Sequence, residues 1–196
     1  MDLPPTYLWP SDRVRAAAAA LDAFAAAGAV AVGASSEREL GTETANALVG
    51  GFADWSIVDL SPWGEQARSV GATEPEPNVA AALMALPAGN CPMIACAMAQ
   101  RTPLVQAALD DPADLGVLAD GRPVSAALGA GSCAVSPVTV NGVARGAITI
   151  MRSRSHPNIN FLELSVLAHI ADLAAGAILR LQAERRPQQA RRWRFQ

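Results

Sequence analysis

The stretch Gly131–Arg152, GSCAVSPVTVNGVARGAITIMR, decides the fold. Two runs rich in Val, Ile, Thr and Ala flank the dipeptide Asn141-Gly142. A type I′ turn needs positive φ at both central residues, which Gly adopts freely and Asn tolerates, so the pair marks a tight β-hairpin. The spacing predicts paired antiparallel strands over Ser132–Val140 and Val143–Met151. Both are mostly apolar, which puts them inside a sheet rather than at a wet edge. In the first, Ser132, Ala134, Ser136 and Val138 share one face, and Cys133, Val135, Pro137 and Thr139 the other.

After the hairpin comes a polar loop, Arg152–Asn160, and then a helix over Phe161–Gln182. Its apolar stripe is Leu164, Leu167, Ile170 or Ala171, Ala174, Ile178 and Leu181, and Pro187 is expected to end it. Before the hairpin, Met1–Pro10 reads as an extended arm, because three prolines fall within it. Ser11 or Asp12 then caps a first helix, with Val14, Ala18, Leu21 and Phe24 or Ala25 as its core face. Ser36 to Glu39 fits a capping box opening a second helix toward Gly50 or Gly51. Trp55–Leu60 is the first strand, Ser61–Gly64 a turn and Ala67–Thr73 a second strand. Asn78 caps a short helix over Val79–Leu86 with Leu83 and Leu86 inward. Pro92 suits a first helical position, so Cys91 takes the cap of a helix over Met93–Ala99. Leu104–Gln106 is a short strand, Asp110–Asp120 an irregular acidic stretch and Val124–Leu128 one helical turn. No repeats occur, and the expected organisation is an arm (1–10), one domain (11–184) and a basic tail (185–196).

Composition narrows the classes. With 196 residues, 51% of them hydrophobic, the chain can bury a real core. All 15 basic residues are Arg. Six of them lie from Arg180 onward beside a single acid, Glu184, leaving nine basic against 17 acidic groups elsewhere. An acidic body argues against a nucleic-acid-binding core. Three cysteines make no disulfide framework, which fits a reducing, cytoplasmic setting. The Ala-rich run Ala16–Ala34 follows Arg13 and Arg15 in the manner of a leader. Its apolar content is mostly Ala and Asp22 interrupts it, so neither a signal segment nor a membrane span is expected.

The order helix, helix, ADWSIVDL strand, second strand, variable helical stretch, GSCAVSPVTVNGVARGAITI hairpin and FLELSVLAHIADLAAGAILRLQ helix resembles a GAF domain of bacterial signalling proteins. The resemblance covers nearly all of 13–182. It implies an α+β fold: a central antiparallel sheet of about six strands, PAS-like, with terminal helices on one face and variable helices or loops over a pocket on the other. It also implies a sensory or regulatory module, in signal transduction or transcription regulation. Such a module binds a small molecule and forms a homodimer through its first and last helices. The Cys-His pair that attaches a bilin in photosensory relatives is missing, because His follows neither Cys91 nor Cys96. Output modules in the family follow a last helix that continues as a coiled coil. With a break at Pro187, the module acts alone or is part of a longer protein.

Candidate ligand-binding residues are Trp55, Cys91, Cys96, Ser132 and Ser136. Cys91, at a helix N-terminus, is the place for a lowered thiol pKa and hence for redox sensing or thiol catalysis. Structural packing is the competing role for each cysteine. A thiol-dependent free methionine sulfoxide reductase is the enzymatic alternative, although Cys133 sits inside the hairpin strand rather than before it. Ser132 and Ser136 offer hydroxyls to a ligand or to neighbouring backbone, and Trp55 is core or a pocket wall. His156 and His169 have no carboxylate or cysteine at ligand spacing, so no metal site is expected. No catalytic motif stands out and no cofactor is named, which favours a binding module over an enzyme. The acidic 110–120 stretch is a solvated loop or a lid. A ligand-free interaction module, using the arm or the Arg-rich tail, is the third reading.

Overall fold

The computed structural model describes residues 10–60, 67–73, 76–86, 88–109, 111 and 114–192. The extended arm, the Ser61–Gly64 turn and the end of the tail lie outside them. The order is α1 (Pro10–Gly33), α2 (Glu37–Leu48), β1 (Trp55–Leu60), β2 (Ala67–Ala72), α3 (Pro77–Ala85) and α4 (Pro92–Gln100), then β3 (Leu104–Gln106), α5 (Val124–Ala127), β4 (Ala130–Val140), β5 (Val143–Ser153) and α6 (Phe161–Arg192). Among the described residues the strands form one antiparallel sheet of five, not six, in the order β2-β1-β5-β4-β3. The chain between β2 and β3 is spent on α3 and α4, so it adds helices over the sheet instead of a strand to its edge.

The hairpin organises this sheet. Asn141 and Gly142 take φ of 51° and 76°, the type I′ signature. β5 pairs with β4 on one side and β1 on the other, so it is the central strand. Pro137 is tolerated within β4 because β3 pairs only with Cys133–Val135, leaving no ladder partner beyond it. Gly146 is required by contact. A Cβ there would stand 2.0 Å from the Asp59 carbonyl oxygen of the neighbouring strand.

The alternation of each strand divides the core in two. Val58, Leu60, Ala134, Val138, Ile148 and Ile150 pack beneath α1, α2 and α6. Trp55, Ile57, Cys133, Val135, Ala147 and Met151 pack beneath the α3–α5 cover. Arginines tie elements to carbonyls that helix ends leave unpaired. Arg180 of α6 donates to the Ala31 and Ala34 carbonyls at 3.3 and 2.7 Å, closing the end of α1. Arg152 is paired with buried Glu163 at 2.5 Å and donates to the Phe52 carbonyl, fixing the start of α6.

Several expectations are revised. α1 begins at Pro10, not after Ser11 or Asp12, and runs through Gly28 to Gly33. Its buried face is Ala20, Ala23, Ala27 and Ala31, whereas Val14, Leu21 and Phe24 are exposed. Two helices crossing closely favour small residues between them, and the larger side chains are turned out. In α2, Ser36 Oγ accepts from Glu39 N at 3.1 Å, but the reciprocal arm of the capping box reaches Ser35 N at 2.8 Å. α3 starts at Pro77 rather than after Asn78, as a ring already fixed at φ near −65° suits a first turn. α6 continues past Pro187 to Arg192. The proline removes one backbone donor without ending the helix.

Candidate functional site

On β1 the two-residue period that sends Trp55 and Ile57 under the cover also sends Asp59 there. A carboxylate on an apolar face needs a partner. Arg68, directly opposite on β2, supplies it. Its Nε donates to Asp59 Oδ1 at 2.7 Å and its Nη2 to Oδ2 at 2.9 Å. The two side chains are 5% and 7% exposed. Nη1 of the same guanidinium donates to the Leu83 carbonyl at 3.1 Å and to that of Leu86, at the end of α3. One arginine therefore joins β1, β2 and the cover.

Behind this pair lies a small cavity of about 10 Å³, walled by Ile57, Arg68, Leu83, Cys91, Thr149 and Met151 among others. That is at most the room of one water molecule. The Thr149 hydroxyl is buried and has no hydrogen-bond partner among the described residues. Cys91 does sit at the cap of α4, but its side chain makes no cap bond. Burial outweighs the backbone hydrogen bonds and pushes the thiol above its ordinary pKa, opposite to the expected lowering. Burial raises Cys133 further still, with Cys91 and Asp114 adding to it. These are packed thiols. Cys96 is exposed on α4, where Gln100 Nε2 lies 3.2 Å from its sulfur.

Two clefts open outside. One of about 560 Å³ lies between α2, β2 and the end of α3, and has Arg38, Thr42, Asp59, Arg68 and Ser69 in its wall. The other, of about 320 Å³, lies between α1, the turn before β1 and the loop after β5. In its wall Asp54 Oδ2 accepts from Ser153 N and meets His156 Nδ1, both at 2.8 Å. Ser153 Oγ approaches the same ring nitrogen at 3.2 Å. A hydrolytic triad uses opposite ring nitrogens for its acid and its hydroxyl, so this Asp-His-Ser cluster is a structural knot. Burial tends to raise the Asp54 pKa, but the bonds from Ser153 and His156 outweigh it and hold the carboxyl below its usual range. Among the described residues no group of three His, Cys, Asp or Glu side chains stands ready for a metal.

The helix layer carries a different feature. Val14, Ala18, Leu21, Ala25, Gly28 and Val32 recur at alternating four- and three-residue spacing, the period of a helix-pairing seam. Val14, Leu21 and Val32 are 69%, 66% and 81% exposed. On α6, Leu162 and Leu179 are also exposed. α1 and α6 run side by side in the same direction, since Asp12 and Asn160 wall one cleft and Arg180 reaches the Ala31 and Ala34 carbonyls. α1 and α6 each contain a stretch long and apolar enough to cross a membrane, a test that core helices also pass.

The five candidate residues do not converge. Trp55 and Cys91 lie in the cluster under the cover, and Cys96 is outside. Ser132 and Ser136 are buried on the opposite face, where Ser132 Oγ accepts from Ile159 N at 3.1 Å. Asp59, Arg68 and Thr149 were missed as a group. The available signal was polar residues at cover-facing positions of apolar strands, visible for Asp59 in WSIVDL.

No family model matches the sequence, and no curated protein matches it. Solved structures do. The GAF domain of an Acinetobacter phosphoenolpyruvate-protein phosphotransferase is 10% identical, with a TM-score of 0.62 over 83% of this chain and 94% of its own. That of the Coxiella burnetii phosphoenolpyruvate-protein phosphotransferase is 17% identical, with a TM-score of 0.60 over 84% and 97%. The A. aeolicus nlh2 GAF domain, in an inactive state, is 12% identical with a TM-score of 0.59 over 83% and 96%. Identity at this level speaks for architecture alone, and the architecture is that of a GAF domain.

Proposed function

We propose that the chain is a cytoplasmic sensory or regulatory module that acts as a homodimer, pairing through α1 and α6. The exposed apolar seam of α1 carries this reading. A stripe of Val, Leu and Ala at helix-pairing spacing is costly to leave in water, and a second copy of the same two-helix surface covers it with matching residues. The fold is the one found in several signalling proteins, which supports a sensory role. Measuring amide exchange across Val14–Val32 at increasing protein concentration tests the proposal. Exchange there slows with concentration if the seam pairs, and concentration-independent exchange refutes it.

A small-molecule ligand on the cover side is the second element. The buried, unpartnered Thr149 hydroxyl beneath the cover favours it, since a bound polar group or water would satisfy the donor. Because the cavity is no larger than about 10 Å³, a ligand requires the cover to move, a shift between two populations. Trp55 and Cys91 would then lie close to the ligand. A melting assay against nucleotides, amino acids and aromatic metabolites tests this, as a ligand bound only to the native state raises the melting temperature. No shift with any of them, combined with mass spectrometry of the purified chain showing no retained compound, refutes it.

A further inference from the structure

We infer that the cleft outside β2 is an oxyanion site, taking a small molecule by a carboxylate or phosphoryl group, and that Arg68 reports its occupancy to the cover. The inference rests on the reading of the chain as a ligand-responsive module and adds a second site, outside the cover, with the chemistry it takes and its link to the cover. It starts from α2. Arg38 and Thr42 are four residues apart, so they share one helix face. Gly41 lets that face approach the edge strand, as a Cβ there would stand 3.2 Å from Ser69 Oγ. The approach brings the Thr42 and Ser69 hydroxyls to 3.3 Å from one another. All of them, with Arg68, wall the cleft of about 560 Å³.

The charge in that wall is unbalanced. Asp59 neutralises Arg68, whereas Arg38 makes no ion pair among the described residues. A guanidinium has five N–H donors. Asp59 takes two of those of Arg68 and the α3 carbonyls two more, which leaves one on Nη2. One guanidinium with no ion pair among the described residues, one spare guanidinium N–H and the hydroxyl proton left over by the Thr42–Ser69 bond are a donor set for a planar or tetrahedral oxyanion. The carboxylate in the wall, Asp59, is already taken up by Arg68, so the charge left over there is the guanidinium of Arg38. The same Arg68 group grips the Leu83 and Leu86 carbonyls through Nη1. An anion on its spare donor therefore fixes the guanidinium further and holds the end of α3 more firmly.

The test titrates the full chain with inorganic phosphate and, separately, succinate, with chloride at equal ionic strength as control. Amide chemical shifts of Arg38, Thr42 and Ser69 are followed, together with hydrogen exchange over residues 77–86. A saturable shift with either probe, absent with chloride, supports the site, and the probe that binds tells a phosphoryl from a carboxylate preference. Arg38→Gln removes a charge-assisted contact, worth about tenfold in dissociation constant, and leaves the melting temperature unchanged because the side chain is on the surface. Slower exchange at the end of α3 on binding supports the reporting role of Arg68. No saturable shift with either probe, or binding that Arg38→Gln leaves intact, overturns the site. Binding without a change in α3 exchange overturns the link to the cover. The dimer is measured in the same samples: a dimer that binds neither anion refutes this inference alone, and a monomer that binds refutes only the dimer.

Discussion

Arg68→Met is the most informative perturbation of the cover. The guanidinium satisfies both oxygens of Asp59 and two carbonyls at the end of α3, with almost no access to solvent. Removing it leaves a buried carboxylate unpaired, and breaking a buried pair from one side costs about 3–5 kcal/mol. For a chain of this size each kcal/mol lowers the melting temperature by roughly 2–4 °C, so a fall of about 10 °C is expected. Urea and thermal unfolding of wild type and variant measure it. The double variant Asp59→Leu with Arg68→Met removes both charges and returns to within about 1 kcal/mol of wild type, because apolar replacement of a whole buried pair is near neutral. An Arg68→Met variant within 1 kcal/mol of wild type, or a double variant as unstable as the sum of the singles, refutes the reasoning.

Four further outcomes follow from the same structure. Thr149→Val replaces a buried, unpartnered hydroxyl by a methyl group and raises stability by about 1 kcal/mol in the absence of ligand, measured by urea unfolding. Gly146→Ala drives a methyl group into the Asp59 carbonyl of β1 and destabilises by about 2 kcal/mol or more, read by the same method. In the native chain a thiol reagent labels Cys96 promptly, while Cys91 and Cys133 react only on unfolding, as mass spectrometry of modified peptides will show. The Asp54 carboxyl is held below its ordinary range in the fold, so its contribution is present above an unfolded value of about 4 and fades as pH falls through the lower folded value. Asp54→Asn therefore flattens the acid limb of a stability–pH curve and leaves its slope near neutrality unchanged.

The hairpin was legible because its information is local: Asn141-Gly142 sets the turn, and the alternation beyond it sets the two faces. The same holds for α2, whose Ser36 cap is written in four residues. The face of α1 was not legible, because the chain offers two apolar stripes and periodicity cannot say which is inward. Close helix packing selected Ala20, Ala23, Ala27 and Ala31, leaving Val14, Leu21 and Val32 outside. The site was harder still. Cys91 was correctly placed at the cap, yet the sign of its pKa shift depends on how deeply α4 sinks into the cover, a tertiary property. Asp59 and Arg68 are nine residues apart in the sequence, and only the register of β1 with β2 shows that they meet.

Light scattering of the purified chain tests the central claim, pairing through the α1 and α6 surface, most directly. The account predicts a native mass twice that of the 20.2 kDa chain, falling to one chain in Leu21→Glu without loss of folded helix signal. A wild-type protein that stays at the mass of one chain across the accessible concentration range, or a Leu21→Glu protein that remains a dimer, contradicts it.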